Sequence, residues 1–221
     1  MTSLQMVQEA KIIPVIRKAN NTNIIPIAQS LFEGGIKAIE ITAETPEVEK
    51  LIRNVRDNVE GLLVGAGTVL DGETARAVIM AGAQFIVSPT VNVSTVKIAN
   101  RYGVPCIMGA MTPTEMVTAY EAGADMVKVF PANSMGPGYL KNILGPLPQI
   151  QIMATGGIDK ENMLDYFNAG AKVVGIGSQL VKPDQLSTKE DFESLKELAR
   201  QYVDKLMEST KSRVFESEFI K

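Results

Sequence analysis

Lys128 and Glu40 each stand in the middle of a short apolar run, Met126-Val-Lys-Val-Phe130 and Ala38-Ile-Glu-Ile-Thr42. Side chains alternate between the two faces of a strand. If Val127, Val129, Ile39 and Ile41 pack against surrounding elements, Lys128 turns to the opposite face with Met126 and Phe130, and Glu40 does so with Thr42. A charge buried there is costly unless it is paired or put to use. Burial disfavours an ammonium ion, and the free amine is the species that attacks a ketone, while a carboxylate can move the protons. The alternative is a buried ion pair that only fills space. The chain has no histidine, which removes Ser-His-Asp and Cys-His catalysis, imidazole acid/base chemistry and His-ligated metals together.

A second constellation is glycine-rich: Ala154-Thr-Gly-Gly-Ile158 and Gly175-Ile-Gly-Ser178. Backbone N–H groups unobstructed at Gly156, Gly157 and Gly177, with the hydroxyls of Thr155 and Ser178, suit an anion such as phosphate, held near a helix N-terminus. Tight turns would explain the same glycines. A third lies at Gly65-Ala-Gly-Thr68, where Thr68 and nearby N–H groups suit a carboxylate. Arg17, ending Pro14-Val-Ile-Arg17, aims a permanent cation at the same rim, or is an exposed structural arginine.

The elements that must position these groups alternate. Strand-like runs fall at 12–16, 38–42, 62–66, 85–88, 105–108, 126–130, 151–154 and 173–176, and segments with helical apolar spacing lie between them, such as 46–59 and 159–169. Gly35, Gly82, Gly123 and Gly170 close helical stretches at nearly even intervals, as though two strand-helix units elapsed each time. Four double units make eight, which predicts a single-domain (β/α)8 TIM barrel in preference to an open doubly wound sheet. Ser3 is read as the cap of a short N-terminal helix that closes the bottom of the barrel, and residues 189–208 as a long final helix. Residues 209–221 read as a tail, either packed on a neighbouring subunit or poorly ordered. Lys37 and Lys172 precede their strands and fall at the barrel's inert end.

The chain has 221 residues, is 45% apolar and carries a formal charge of −3 with scattered basic residues. These features point away from nucleic acid and toward small ligands. Neither end shows an apolar leader or span, so the expectation is a cytoplasmic protein with no membrane association. Cys106, alone in an apolar run, reads as an inert buried thiol.

The ordered motifs Pro14-Val-Ile-Arg17, Glu33-Gly-Gly-Ile36, Ile39-Glu-Ile-Thr42, Gly65-Ala-Gly-Thr-Val69, Phe85-Ile-Val-Ser-Pro89, Val127-Lys-Val-Phe-Pro-Ala132, Thr155-Gly-Gly-Ile158 and Gly175-Ile-Gly-Ser178 resemble the 2-keto-3-deoxy-6-phosphogluconate aldolases, which often also act as 4-hydroxy-2-oxoglutarate aldolases. The resemblance implies a class I aldolase without metal or cofactor, a homotrimer of barrels. It implies Lys128 as the Schiff-base lysine and Glu40 as the general acid/base. Arg17, Gly67, Thr68, Pro89 and Phe130 would surround the pyruvyl and carboxylate part, and Thr155, Gly156, Gly157, Gly177 and Ser178 the phosphate. One position departs: the best-known members place an arginine two residues beyond the threonine, where this chain has Glu44. Either Glu44 points away and Arg17 carries more of the carboxylate binding, or the preferred substrate differs. The rival readings are a sugar-phosphate isomerase or epimerase on the same barrel, which would form no covalent imine, and a non-catalytic anion-binding barrel.

Overall fold

The computed structural model describes the backbone of residues 2–218 and the side chains of residues 2–209. Eight parallel strands close into a barrel in sequential order, β1 (Ile12–Ile16), β2 (Ala38–Thr42), β3 (Leu63–Gly67), β4 (Ile86–Val87), β5 (Cys106–Gly109), β6 (Met126–Val129), β7 (Ile152–Thr155) and β8 (Val173–Ile176), with β8 pairing back onto β1. The closed alternative therefore holds over the open sheet. Most strands stand within a residue of the expected runs, but β4 is reduced to two residues.

The alternation sorts the core into two layers. Ile39, Ile41, Val127 and Val129 face the helices in one large apolar cluster. Ile13, Ala38, Leu63, Phe85, Val87, Ile107, Met126, Met153 and Val173 fill the lumen. The helix α1 (Ser3–Ala10) adds Val7 to that inner cluster, with Leu4, Met6 and Ala10 against it, so the lumen is stoppered from the N-terminal end as expected. Its cap is Thr2 rather than Ser3. Thr2 has the extended backbone a cap needs, its hydroxyl accepts from the Gln5 N–H at 3.3 Å, and the Gln5 side chain accepts from the Thr2 N–H at 2.8 Å, a reciprocal box that Ser3, already helical, does not offer.

Outside the barrel lie α2 (Ile24–Glu33), α3 (Val48–Asn58), α4 (Gly72–Met80), α5 (Val93–Arg101), α6 (Pro113–Glu121), α7 (Pro137–Leu144), α8 (Met163–Asn168) and α9 (Lys189–Glu218). Several start on side-chain caps: Asp71 on α4, Asn92 on α5, and the Thr112–Glu115 box with Pro113 in the first turn of α6. Gly35, Gly82, Gly123 and Gly170 follow helices with φ between 94° and 109°, as their spacing predicts. The backbone of α9 runs on to Glu218 through most of the stretch read as a tail, while the side chains of residues 210–221 lie outside the described residues. Gly34 lets α9 approach α2: a Cβ there would fall 2.6 Å from the Ala199 Cβ and 2.7 Å from the Lys196 carbonyl oxygen. No helix among the described residues is long and apolar enough to cross a membrane.

Candidate active site

The inward turn of Glu40 and Lys128 brings them together across the lumen. Glu40 is 0% and Lys128 2% exposed, and Lys128 Nζ stands 3.6 Å from Glu40 Oε1. That separation is an ion-pair distance but too long for a good direct hydrogen bond. Neither Glu40 oxygen has a hydrogen-bond partner. The pair is therefore underused electrostatically, with polar capacity left over for something placed between or beside the two groups. Lys128 Nζ also lies 5.4 Å from the centre of the Phe130 ring, within reach of a cation–π attraction.

Glycines make the room. A Cβ on Gly67 would come within 1.9 Å of Glu40 Oε1, so the carboxylate occupies the space where a side chain would otherwise be. On β5, a Cβ on Gly109 would meet the Pro89 backbone at about 2.0 Å, and its absence lets the segment after β4 fold in beside the lumen. Thr68 adopts a left-handed conformation, φ 54°, which is strained for a β-branched residue.

Above the pair is a cavity of about 570 Å³ at the C-terminal end of the strands. Lys128 and Phe130 line it from β6, Thr68 and Pro89 from the ends of β3 and β4, and Arg17 from the end of β1. Thr155, Gly156 and Gly157 line it after β7, and Gly177 and Ser178 after β8. Glu40 and Gly67 sit behind this lining, against each other. Thr155 stands inward on β7, buried, with its hydroxyl unpartnered. The helix N-terminus expected near the two glycine loops does not adjoin them: the segment read as helical over 159–169 becomes α8 only at Met163, and α9 begins at Lys189, so an anion there would meet loop N–H groups. Val15, Ile158 and Gln179 also line the cavity. Val15 was legible from strand alternation, being in the inward row of Ile13 and Arg17, whereas Gln179 lies in a loop that no periodicity marks.

Glu44 is not among the residues that line this cavity. Its Oε1 accepts a hydrogen bond from Arg17 Nη1 at 2.6 Å, an ion pair across the ends of β2 and β1. At the opposite end of the barrel a second cavity, about 590 Å³, is flanked by Lys37 and Lys172, both exposed, and contains neither Glu40 nor Lys128. Cys106 is fully buried, and its burial, followed by the nearby Asp125 carboxylate, pushes the thiol up to about 12, as befits an inert sulfur. Among the described residues no cluster of three acidic or thiol side chains is arranged to hold a metal ion.

Residues 4–198 match the family described as KDPG and KHG aldolase. The chain belongs to this family. It is an aldolase, a lyase acting on a carbon–carbon bond, built on the closed barrel described above. A 2-dehydro-3-deoxy-phosphogluconate aldolase from Pseudomonas aeruginosa is 35% identical over 202 residues, covering 91% of each chain. A KHG/KDPG aldolase from Escherichia coli is 34% identical over 194 residues, 87% of this chain and 91% of the relative. Among solved structures, the KDPG aldolase from Legionella pneumophila with pyruvate captured as a covalent carbinolamine superposes with a TM-score of 0.83 and 29% identity, covering 90% of this chain and 97% of that one.

Proposed function

We propose that this aldolase cleaves 2-keto-3-deoxy-6-phosphogluconate to pyruvate and glyceraldehyde 3-phosphate, with Lys128 as the Schiff-base nucleophile and Glu40 as the acid/base. The observation that carries the reading is the buried Lys128–Glu40 pair, 3.6 Å apart with both carboxylate oxygens unpartnered, at the floor of a cavity ringed by the glycine loops.

The Lys128 amine attacks C2 of the keto acid, forming a C–N bond, and the carbinolamine loses water to give a protonated imine. Glu40 relays the protons of these steps. With the imine as electron sink, Glu40 takes the proton from the C4 hydroxyl as the C3–C4 bond breaks. Its electrons form the enamine, and the new carbonyl leaves as the aldehyde. Protonation at C3 and hydrolysis return pyruvate and the free amine. Thr68 and Pro89, with Gly67 behind them, stand on the β3–β4 side suited to the pyruvyl carboxylate, and Phe130 lies beside Lys128 and against Gly156. Thr155, Gly156, Gly157, Gly177 and Ser178 form the opposite wall, suited to the phosphate, and Arg17 stands beside that wall as the cation for the substrate's anionic groups. The relatives include aldolases named for the phosphorylated acid alone and for both acids, so 4-hydroxy-2-oxoglutarate, which would yield pyruvate and glyoxylate, is the second substrate to test.

Borohydride reduction in the presence of pyruvate tests the chemistry: one pyruvyl group is expected on Lys128, found by peptide mapping, with activity lost. Labelling centred on Lys141 or undiminished in Lys128→Ala would remove Lys128 from the mechanism. The same reading takes the enzyme as a cytoplasmic homotrimer, with the exposed apolar side chains Leu70, Met80 and Val93 available for contact between copies. Sedimentation at equilibrium reads the trimer directly.

A further inference from the structure

The rim of the cavity over β1 and β2 holds an ion pair whose geometry constrains the substrate. Val15 and Glu40 are register partners on β1 and β2. Arg17 continues the inward row of β1 by one position and lines the cavity, and Glu44 lies in the turn that follows β2. Their side chains meet at 2.6 Å. The base beneath them is tied down: the Thr42 hydroxyl donates to the Ile16 carbonyl at 3.3 Å, the Lys18 N–H donates to Thr45 Oγ1 at 3.3 Å, and Thr42 and Thr45 are buried. Lys18 itself takes a left-handed turn, φ 60°, directly after Arg17. Arg17 is thus presented to the cavity with its charge already answered by a carboxylate.

Building on the Schiff-base reading, we propose that Glu44 is a specificity-determining residue that acts through Arg17, so that this rim accepts a neutral, hydroxyl-bearing carbon beyond C4 and disfavours a carboxylate there. The reasoning is electrostatic. When C2 is bonded to Lys128 and the C4 hydroxyl faces Glu40, the next carbon lies toward the rim above Glu40. In the phosphorylated sugar acid that carbon carries a hydroxyl, which can donate to a carboxylate and accept from a guanidinium, and the phosphate is one carbon further on. In 4-hydroxy-2-oxoglutarate the same carbon is a carboxylate. It must then compete with Glu44 for the Arg17 donors. Both rim side chains are 47% exposed, so solvent moderates the effect.

The test compares kcat/KM for the two acids in the wild type, Glu44→Gln, Arg17→Ala and the double variant. Glu44→Gln keeps the size and removes the charge. It is expected to raise kcat/KM for 4-hydroxy-2-oxoglutarate about three- to tenfold, mainly through a lower KM, while changing the phosphorylated acid less than about twofold. In the Arg17→Ala background the same change at position 44 should give no gain, since the carboxylate acts through the guanidinium. Equal changes for both acids, no change for either, or a gain that persists without Arg17 would each overturn the proposal. Pyruvate trapping by borohydride in the wild type is read first: its absence sinks the Schiff-base reading and this inference with it, whereas normal trapping with unshifted selectivity sinks this inference alone.

Discussion

A carboxylate with both oxygens unpaired, set 3.6 Å from an equally buried lysine, is a poor structural ion pair. It suits the acid/base role proposed for it, because nothing else holds the groups away from a reactant. Glu40→Gln is therefore expected to cut turnover by about 10²–10⁴-fold with the fold intact, measured as kcat alongside a thermal melt; near-normal turnover would take Glu40 out of the reaction. A subtler variant tests the placement itself. Gly67→Ala puts a methyl group within 1.9 Å of the present Glu40 Oε1 position, so turnover and the rate of pyruvate trapping should both fall with the fold intact. At this scale much was legible in the sequence, because a charge interrupting an Ile or Val alternation has only one inward-facing interpretation in a barrel. Glu44 was not. Its partner is on another strand end, and only the closed fold brings position 44 within reach of position 17.

Three helices around the barrel, α4, α6 and α9, are fixed at their starts by carboxylates. Backbone N–H groups hold these carboxyls below their ordinary values: Asp71 through Thr74, Glu115 through Met111, and Asp191 through Ser187 and Thr188. A depressed carboxyl contributes stability that is fully present above its unfolded value, roughly pH 4, and is lost as the pH falls through the lower folded value. The melting temperature should accordingly drop on acidification below about pH 4, and Glu115→Gln should lower it at neutral pH while shrinking the acid-side drop. An unchanged acid-side slope in that variant would show that the box on α6 contributes nothing to it. The contact between α2 and α9 makes a separate prediction. Gly34→Ala forces a methyl group against Ala199 and should cost about 1–3 kcal/mol in a denaturant titration, with kcat unaffected. Sequence periodicity found these elements but not their ends. Thr2 displaced Ser3 because a cap is decided by one backbone angle and one reciprocal bond, and β4 shrank to Ile86–Val87 because pairing, not composition, sets a strand's length.

For the whole molecule, the evenly spaced glycines were enough to read eight units and a closed cylinder, since Gly35, Gly82, Gly123 and Gly170 each mark a helix end by a conformation other residues avoid. Cys106 reports on the integrity of that cylinder. Buried on β5 with its thiol pushed up to about 12, it should resist alkylation at pH 8 until the barrel opens, so its labelling rate should track global unfolding across a denaturant series. Rapid labelling in native buffer would show that β5 opens locally. The stopper formed by α1 bears on catalysis as well. With Val7 and its neighbours filling the lower lumen, the cavity over Lys128 opens at the C-terminal end of the strands. In the proposed mechanism the covalent bond orders release: the aldehyde departs while the three-carbon remainder is still tethered, and pyruvate can go only after hydrolysis frees it. Product inhibition should carry that signature, with pyruvate competitive against the sugar acid and the aldehyde not.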